Sequence, residues 1–288
     1  MTRRAWLLFV LNSLIWGVPY LFIKIAVDGG IPPAFLAWSR IALAAAVMLP
    51  FALRRGAFHG LRKHAAAIVA YTLCEVAVPF VLIAEGERYI TSSLTAILIS
   101  TMPLMMAVLS LHFSPGDRPT GWRLVGLILG FVGVVALLGF DVAGRPGEPF
   151  GAMLVLVATL GYAIAPLIIS RWLADLDPLG PITASLTLAA IILLPAAIAV
   201  PPPQVPGPAA LASIVVLGVI CTAAGLAIFF RLIVEAGPNR ASVITYINPV
   251  VAVIVGMLVL GERLTAVSTL GLLMILGGSW LATRRSVR

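Results

Sequence analysis

The chain has 288 residues, 61% of them apolar and only 10% charged, with a formal net charge of +8. Soluble domains carry roughly 25% charged residues, so this composition excludes an ordinary soluble fold and points to a chain solvated by lipid. Nucleic acid is not indicated as a partner, because the basic residues sit in short turns between apolar runs rather than on one face.

The first apolar run, residues 5–26, follows Thr2-Arg3-Arg4. It is longer than the core of a signal peptide and has no small-residue cleavage site, so it is expected to remain as a first membrane span. A helix rises about 1.5 Å per residue, so about 20 residues cross the hydrocarbon. Ten runs of that size follow one another: 5–26, 33–53, 65–84, 90–112, 121–140, 150–170, 179–200, 209–230, 240–260 and 266–283. Turn chemistry separates them, as at Gly29-Gly30-Ile31-Pro32-Pro33, Arg145-Pro146-Gly147-Glu148-Pro149 and Pro201 through Pro208. The prediction is an all-α membrane protein of ten transmembrane helices.

Lys and Arg set the orientation. With the N-terminus in the cytoplasm, the inner segments hold Arg3, Arg4, Arg54, Arg55, Arg62, Lys63, Arg118, Arg123, Arg171, Arg231, Arg240, Arg284, Arg285 and Arg288. The outer turns hold only Arg88, Arg145 and Arg263. That bias predicts a multi-pass protein of the cell (inner) membrane with both termini cytoplasmic.

The chain also repeats itself. From Asn239 to Leu281, an apolar run with Pro249 in its middle ends in Gly261-Glu262-Arg263-Leu264-Thr265, and a run with Gly271, Gly277 and Gly278 follows. From Ser93 to Leu138, Pro103 stands mid-run, Gly116-Asp117-Arg118-Pro119-Thr120 makes the turn, and Gly126, Gly130 and Gly133 follow. Pro103 and Pro249 are 146 apart, Gly116 and Gly261 are 145 apart, Pro50 and Pro195 are 145 apart, and Pro19 and Pro166 are 147 apart. The expected units are residues 1–144 and 145–288. Each holds five spans, so the second copy enters from the opposite side and the repeat is inverted. Proline inside a span removes a backbone hydrogen bond, which makes Pro19, Pro103, Pro166 and Pro249 the expected hinges.

These features resemble the EamA-type transporters of the drug/metabolite transporter superfamily. Gly261-Glu262-Arg263-Leu264-Thr265 carries the closest match, with Asn12-Ser13-Leu14-Ile15-Trp16-Gly17 and Phe35-Leu36-Ala37-Trp38-Ser39-Arg40 in the same style. The first-half copy of the turn departs, with Asp117 for Glu and Pro119 for Leu. The resemblance spans the whole chain and implies a ten-helix exporter of small metabolites; members that export amino acids, aromatic ones included, are known. It leaves the substrate open.

Candidate cargo contacts come from residue chemistry. Asn12, Trp16, Tyr20 and Lys24 recur at every fourth position of the first span and share one drifting face. They read as a cavity wall for an amphiphilic or aromatic cargo, or, for Tyr20 and Lys24, as interfacial anchors. Arg40 lies within the second span and Glu75 at the centre of the third. An intramembrane charge costs about 2.5–3.5 kcal/mol to insert, so these two are expected to be paired, hydrated or functional. They are read either as an ion pair, or as partners for a cargo carboxylate and ammonium, with Glu75 as an alternative proton carrier. In the second half Ser185 and Ile169 replace Arg40 and Lys24, and Tyr162, Tyr246 and Asn248 are the polar candidates. Asn248 serves equally as a helix–helix hydrogen bond.

Other chemistry is not indicated. There is no glycine-rich nucleotide loop, no zinc-protease helix motif and no paired-cysteine motif, and His59, His64 and His112 are scattered, so no cofactor, metal or catalytic residue is expected. Cys74 and Cys221 lie in apolar runs and read as small core residues. Gly126 and Gly130 have the close-packing spacing of membrane helices, which suits internal packing in a monomer or, alternatively, a homodimer face. The expected function is a secondary transporter, not an enzyme, exporting amino acids or similar amphiphiles by alternating access, with protons as a possible second partner. The alternatives are a broad drug or sugar-type metabolite exporter and a channel-like facilitator.

Overall fold

The computed structural model describes residues 1–113, 121–139, 146–237, 241 and 243–283, and it is all α-helical over them. Seven helices are long and apolar enough to cross a membrane, and three shorter apolar ones bring the total to ten. We label them in chain order: α1 Arg3–Asp28, α2 Pro33–Arg54, α3 Leu61–Gly86, α4 with parts Ser92–Ile99 and Met102–Phe113, α5 Trp122–Leu137, α6 Glu148–Leu173, α7 Leu179–Ala199, α8 Pro208–Ala236, α9 Ile244–Leu260 and α10 Ala266–Thr283. The turn Gly116–Thr120, Arg145, Asn239, Arg240, Arg284, Arg285, Arg288 and the side chain of His112 lie outside the described residues.

The predicted spans occur in order, but two are not continuous. The run expected at 5–26 breaks at Val18, which sits at φ −97° and ψ −7° between helices Arg3–Gly17 and Pro19–Asp28. Proline disfavours helical geometry at the residue before it, and β-branched valine resists it little. The run expected at 90–112 breaks at Ser100-Thr101, just ahead of Pro103. There the Ser100 hydroxyl donates to the Ile97 carbonyl (2.5 Å), and the Leu98 carbonyl accepts from both the hydroxyl (2.6 Å) and the N–H (3.1 Å) of Thr101, which keeps carbonyls at the break bonded. Pro166 and Pro249, the matching positions of the second half, lie inside continuous helices.

The two halves do not form separate bodies. The principal helix pairs join one half to the other: α5 with α10, α2 with α7 and α8, α3 with α6 and α7, α1 with α8 and α9, and α4 with α6 and α9. Exchanging α1–α5 for α6–α10 turns each of these pairs into itself or into another of the set. The contact pattern therefore has the symmetry of an inverted repeat. A further sign is local. The third helix of each half opens into a π-helical turn, at Thr72–Ala77 in α3 and Val216–Ala224 in α8. Cys74 and Cys221 stand 147 apart, like Pro19 and Pro166, and so do Glu75 and Thr222.

Contacts between helix ends respect the alternation of a ten-span chain. Arg4 pairs with Glu235 (3.0 Å), and Arg123 donates to the Ala282 carbonyl (3.2 Å), at one end of the bundle. Lys24 meets Glu87, and Glu262 meets Ser92, at the other. Glycines allow close approach where helices cross. A Cβ on Gly126 would meet Leu281 and the backbone of Gly278 and Ala282, and one on Gly130 would meet Leu104. These two glycines serve packing within the chain. Large apolar side chains such as Phe51, Phe131, Ile191, Ile198 and Leu258 are exposed around the outside. In water they would oppose folding, whereas in hydrocarbon they face their own solvent.

Candidate substrate site

Arg40 on α2 stands at the centre of the bundle and is only 6% exposed. Its guanidinium lies over the Phe80 ring of α3, 4.0 Å from the centroid, and one Nη donates to the Thr222 hydroxyl of α8 (3.2 Å). Thr222 can accept that bond because its own hydroxyl proton goes to the Leu217 carbonyl five residues back (2.8 Å), a reach set by the π-helical turn. A Cβ on Gly218 would meet the Arg40 carbonyl at 2.8 Å, so only glycine lets α8 come this close to α2. The Arg40 Nε has no partner.

Arg40 and Glu75 do not form an ion pair, so the pairing offered by the sequence is not the arrangement found. The inverted repeat gives the reason. Arg40 belongs to the α2–α8 contact, whereas Glu75 sits on the π-helical turn of α3, which packs against α7 and α6. The pseudo-equivalent of Glu75 is Thr222, and the structure joins Arg40 to that residue. Tyr162 of α6 is close enough to Glu75, Arg40 and Tyr20 to interact with each electrostatically. Tyr20 and Tyr162 pack on the same apolar cluster, formed around Ile23, Ile83, Ala158 and Leu217. Arg40, Tyr20, Tyr162, Phe80, Thr222 and Glu75 thus make one polar and aromatic group drawn from α1, α2, α3, α6 and α8.

The remaining candidates are placed elsewhere. Trp16 is committed to the α1–α8 contact: its indole N–H donates to the Cys221 carbonyl (3.0 Å), its ring lies 4.8 Å from that of Phe229, and it fills the space over Gly225. Asn12 is wholly buried, with neither side-chain polar atom bonded. Lys24 is engaged at the end of the bundle, donating to the Glu87 carbonyl (2.7 Å) and pairing with Asp28 (3.2 Å). With its amide nitrogen turned toward them, Asn248 donates to the carbonyls of Ile244 (2.9 Å) and Ser13 (3.3 Å), which ties α9 to α1. The Tyr246 hydroxyl donates to the Ser279 carbonyl of α10 (3.4 Å).

Three residues were not singled out from the sequence. Phe80 and Thr222 look like ordinary apolar-run residues, and only the packing of α3 and α8 against α2 brings them to Arg40. Glu87 sits in the run Glu85-Gly86-Glu87-Arg88, which reads as a solvated turn. Its side chain is nevertheless fully buried. Beside it, Glu262 accepts from both the N–H and the hydroxyl of Ser92 (2.8 and 2.9 Å) and from the N–H (3.0 Å) and hydroxyl of Ser93. A carboxylate at a helix N-terminus satisfies free backbone donors and the helix dipole together. Gly261, at φ +65°, ends α9 in the left-handed conformation that turns Glu262 toward α4.

Comparison with known proteins agrees with this architecture. The EamA-like transporter family matches the chain twice, over residues 3–139 and 149–284. The chain belongs to the EamA-like transporter family. It is therefore a membrane transporter of the drug/metabolite transporter superfamily rather than an enzyme. It is 28% identical over 268 residues to the uncharacterized inner membrane transporter YedA of Escherichia coli K12, covering 90% of this chain and 84% of YedA. It is 25% identical over 276 residues to the uncharacterized transporter YoaV of Bacillus subtilis, covering 94% of each. A solved crystal structure of a protein superposes with a TM-score of 0.68 at 18% identity, over 98% of this chain and 97% of its own, which speaks to the fold alone. As a family transporter, the chain has lipid and a small-molecule substrate as its partners.

Proposed function

We propose that this EamA-family member is a secondary transporter that exports amino acids or similar amphiphilic carboxylates, aromatic ones favoured, by alternating access between its two halves. The observation that carries this reading is Arg40. A buried guanidinium with no acidic partner, an unbonded Nε and an aromatic ring against its face is arranged to receive an anionic group. Tyr20, Tyr162 and Phe80 supply flat apolar surface beside it, and Glu75 is placed to meet an ammonium. Trp16, Asn12, Lys24, Tyr246 and Asn248 then act as supports of the wall rather than as first contacts.

The same reading places the protein in the inner membrane as a monomer, as two halves of residues 1–144 and 145–288, with both termini in the cytoplasm. The YedA relative and the distribution of Arg and Lys support this placement. The breaks at Val18 and Ser100-Thr101 are the expected hinges, ahead of Pro19 and Pro103.

The test is a counterflow panel in proteoliposomes, covering the twenty amino acids and several cationic drugs at two pH values. Saturable uptake of phenylalanine or another amino acid, stimulated by the same compound on the far side, is expected. Amines lacking the carboxylate should not substitute. Flux that fails to saturate, or drug transport indifferent to Arg40→Met, would overturn the reading. Proton exchange through Glu75 is tested in the same vesicles, because an imposed pH gradient should then drive uptake in the parent protein and no longer do so in Glu75→Gln.

A further inference from the structure

Glu87 is the most unusual group outside the central site. It follows the last turn of α3, at the end of the bundle predicted to face outward, and its side chain is 0% exposed. Neither carboxyl oxygen has a hydrogen-bond partner. The obvious cation is beside it but engaged, since the Lys24 ammonium bonds the main-chain carbonyl of Glu87 and the Asp28 carboxylate. The surrounding charges are Lys24 and Asp28 from α1, Arg40 from α2 and Glu262 from the α9–α10 turn. Glu262 is itself held by four donors at the start of α4. On its own segment, Arg88 is paired with Glu85 at 2.8 Å.

An ionised carboxylate sealed from water without a single donor is strongly disfavoured, and such a group neutralises instead. Burial pushes the Glu87 carboxyl well above its ordinary range; Lys24 opposes this, and Glu262 and Asp28 reinforce it. The sealed arrangement thus contains a proton as a structural component. If this end of the bundle opens, water reaches Glu87 and can take that proton, and the carboxylate left behind can recruit Lys24 from Asp28.

We propose that Glu87 is a proton-binding site that controls this end of the transporter: the end closes with the Glu87 carboxyl neutral, and release of the proton to water opens it. The proposal rests on the alternating-access reading and deepens it, because it couples one protonation to one of the two gates. The sign follows from linkage. The closed state holds the proton more tightly than the open one. Its advantage is full below the ordinary glutamate value of about 4.3 and is lost as pH rises toward the elevated closed-state value. Within that window one coupled proton changes the closed-to-open ratio about tenfold per pH unit.

The experiment needs no cargo, so its failure is distinct from a failure of the transport reading. Ala84, one turn before Glu87 on α3 and 1% exposed, is replaced by cysteine in the full chain carrying Cys74→Ala and Cys221→Ala. Labelling of intact cells by a membrane-impermeant maleimide is followed from pH 5 to 9, corrected for thiolate reactivity with an exposed control cysteine at Arg263. Corrected labelling should rise at least tenfold with pH, and Glu87→Gln should hold it low throughout. A flat profile with Glu87 present, or the same rise in Glu87→Gln, would overturn the proposal. Infrared spectra of the purified protein at neutral pH give a second reading. A protonated-carboxyl stretch lost specifically in Glu87→Gln is expected, and its absence from the parent protein would also refute the assignment.

Discussion

The two halves carry prolines at matching positions, yet the first half breaks where the second runs on. Val18 precedes Pro19, and its counterpart before Pro166 is Ala165. Valine has low helix propensity and alanine the highest, so one helix parts and the other continues. Ser100 and Thr101 precede Pro103 with hydroxyls that bond carbonyls near the break, and their counterparts at the Pro249 spacing are Tyr246 and Ile247. Isoleucine has no hydroxyl, and that of Tyr246 reaches α10 instead. The polar residues diverge in the same way. Arg40 corresponds to Ser185, and Glu75 to Thr222. Symmetry places these four positions at two equivalent helix contacts, and substitution has given each contact its own chemistry. A repeated scaffold can therefore hold one asymmetric site.

The sharpest test of this asymmetry compares Arg40→Met with Ser185→Ala. Losing the only buried guanidinium among these four positions should lower counterflow of a carboxylate cargo by about a hundredfold, the scale of removing a charged hydrogen-bonding group. Ser185→Ala should change it less than about threefold, since that hydroxyl has no bonded partner. Equal losses would mean that the halves contribute alike.

Glu262→Ala should have the next largest effect, about 3 kcal/mol of stability, because a charged acceptor is removed from two backbone and two hydroxyl donors. Thermal unfolding in detergent reads this loss. A small shift would show that the link from the α9–α10 turn to α4 is dispensable.

Adjacent glycines on α10 give a smaller and cleaner contrast. A Cβ on Gly278 would come within 2.5 Å of the Gly130 nitrogen and 2.6 Å of the Gly126 carbonyl, backbone atoms that cannot turn aside. A Cβ on Gly277 would meet nothing within 4 Å. Gly278→Ala should cost about 2 kcal/mol, whereas Gly277→Ala should be neutral or slightly stabilising, both read by thermal unfolding. Equal shifts would break the assignment of the α5–α10 contact as the close seam between halves.

Trp16→Phe should have the smallest effect, about 1 kcal/mol, as one hydrogen bond to the Cys221 carbonyl is lost while the ring contact with Phe229 persists. If counterflow falls much further than stability, Trp16 touches the cargo directly and the first span contributes more to recognition than its packing suggests.

Much of this protein was legible in its sequence. Ten apolar runs, punctuated by glycine, proline and arginine, determine ten helices, because in lipid each backbone segment must satisfy its own hydrogen bonds. The spacing of Pro19, Pro50, Pro103 and Gly116 from their partners determines the inverted repeat. Intramembrane charge at Arg40 and Glu75 marks the region of the proposed site, since a charge in hydrocarbon is too costly to be incidental. Only the tertiary structure decided which candidates meet. Arg40 meets Thr222 because α8 crosses α2 at Gly218, a contact between residues more than 170 positions apart that no local pattern records, and α3 brings Phe80 to the same guanidinium. Trp16 is drawn to a main-chain carbonyl, to which side-chain chemistry gives no clue. Glu87 reads as a turn residue and is buried beside groups from distant segments, Lys24 and Asp28 of α1, Arg40 of α2 and Glu262 of the α9–α10 turn. Composition and periodicity act locally and fix the helices; helix crossings depend on surfaces assembled from distant residues, and they fix the site.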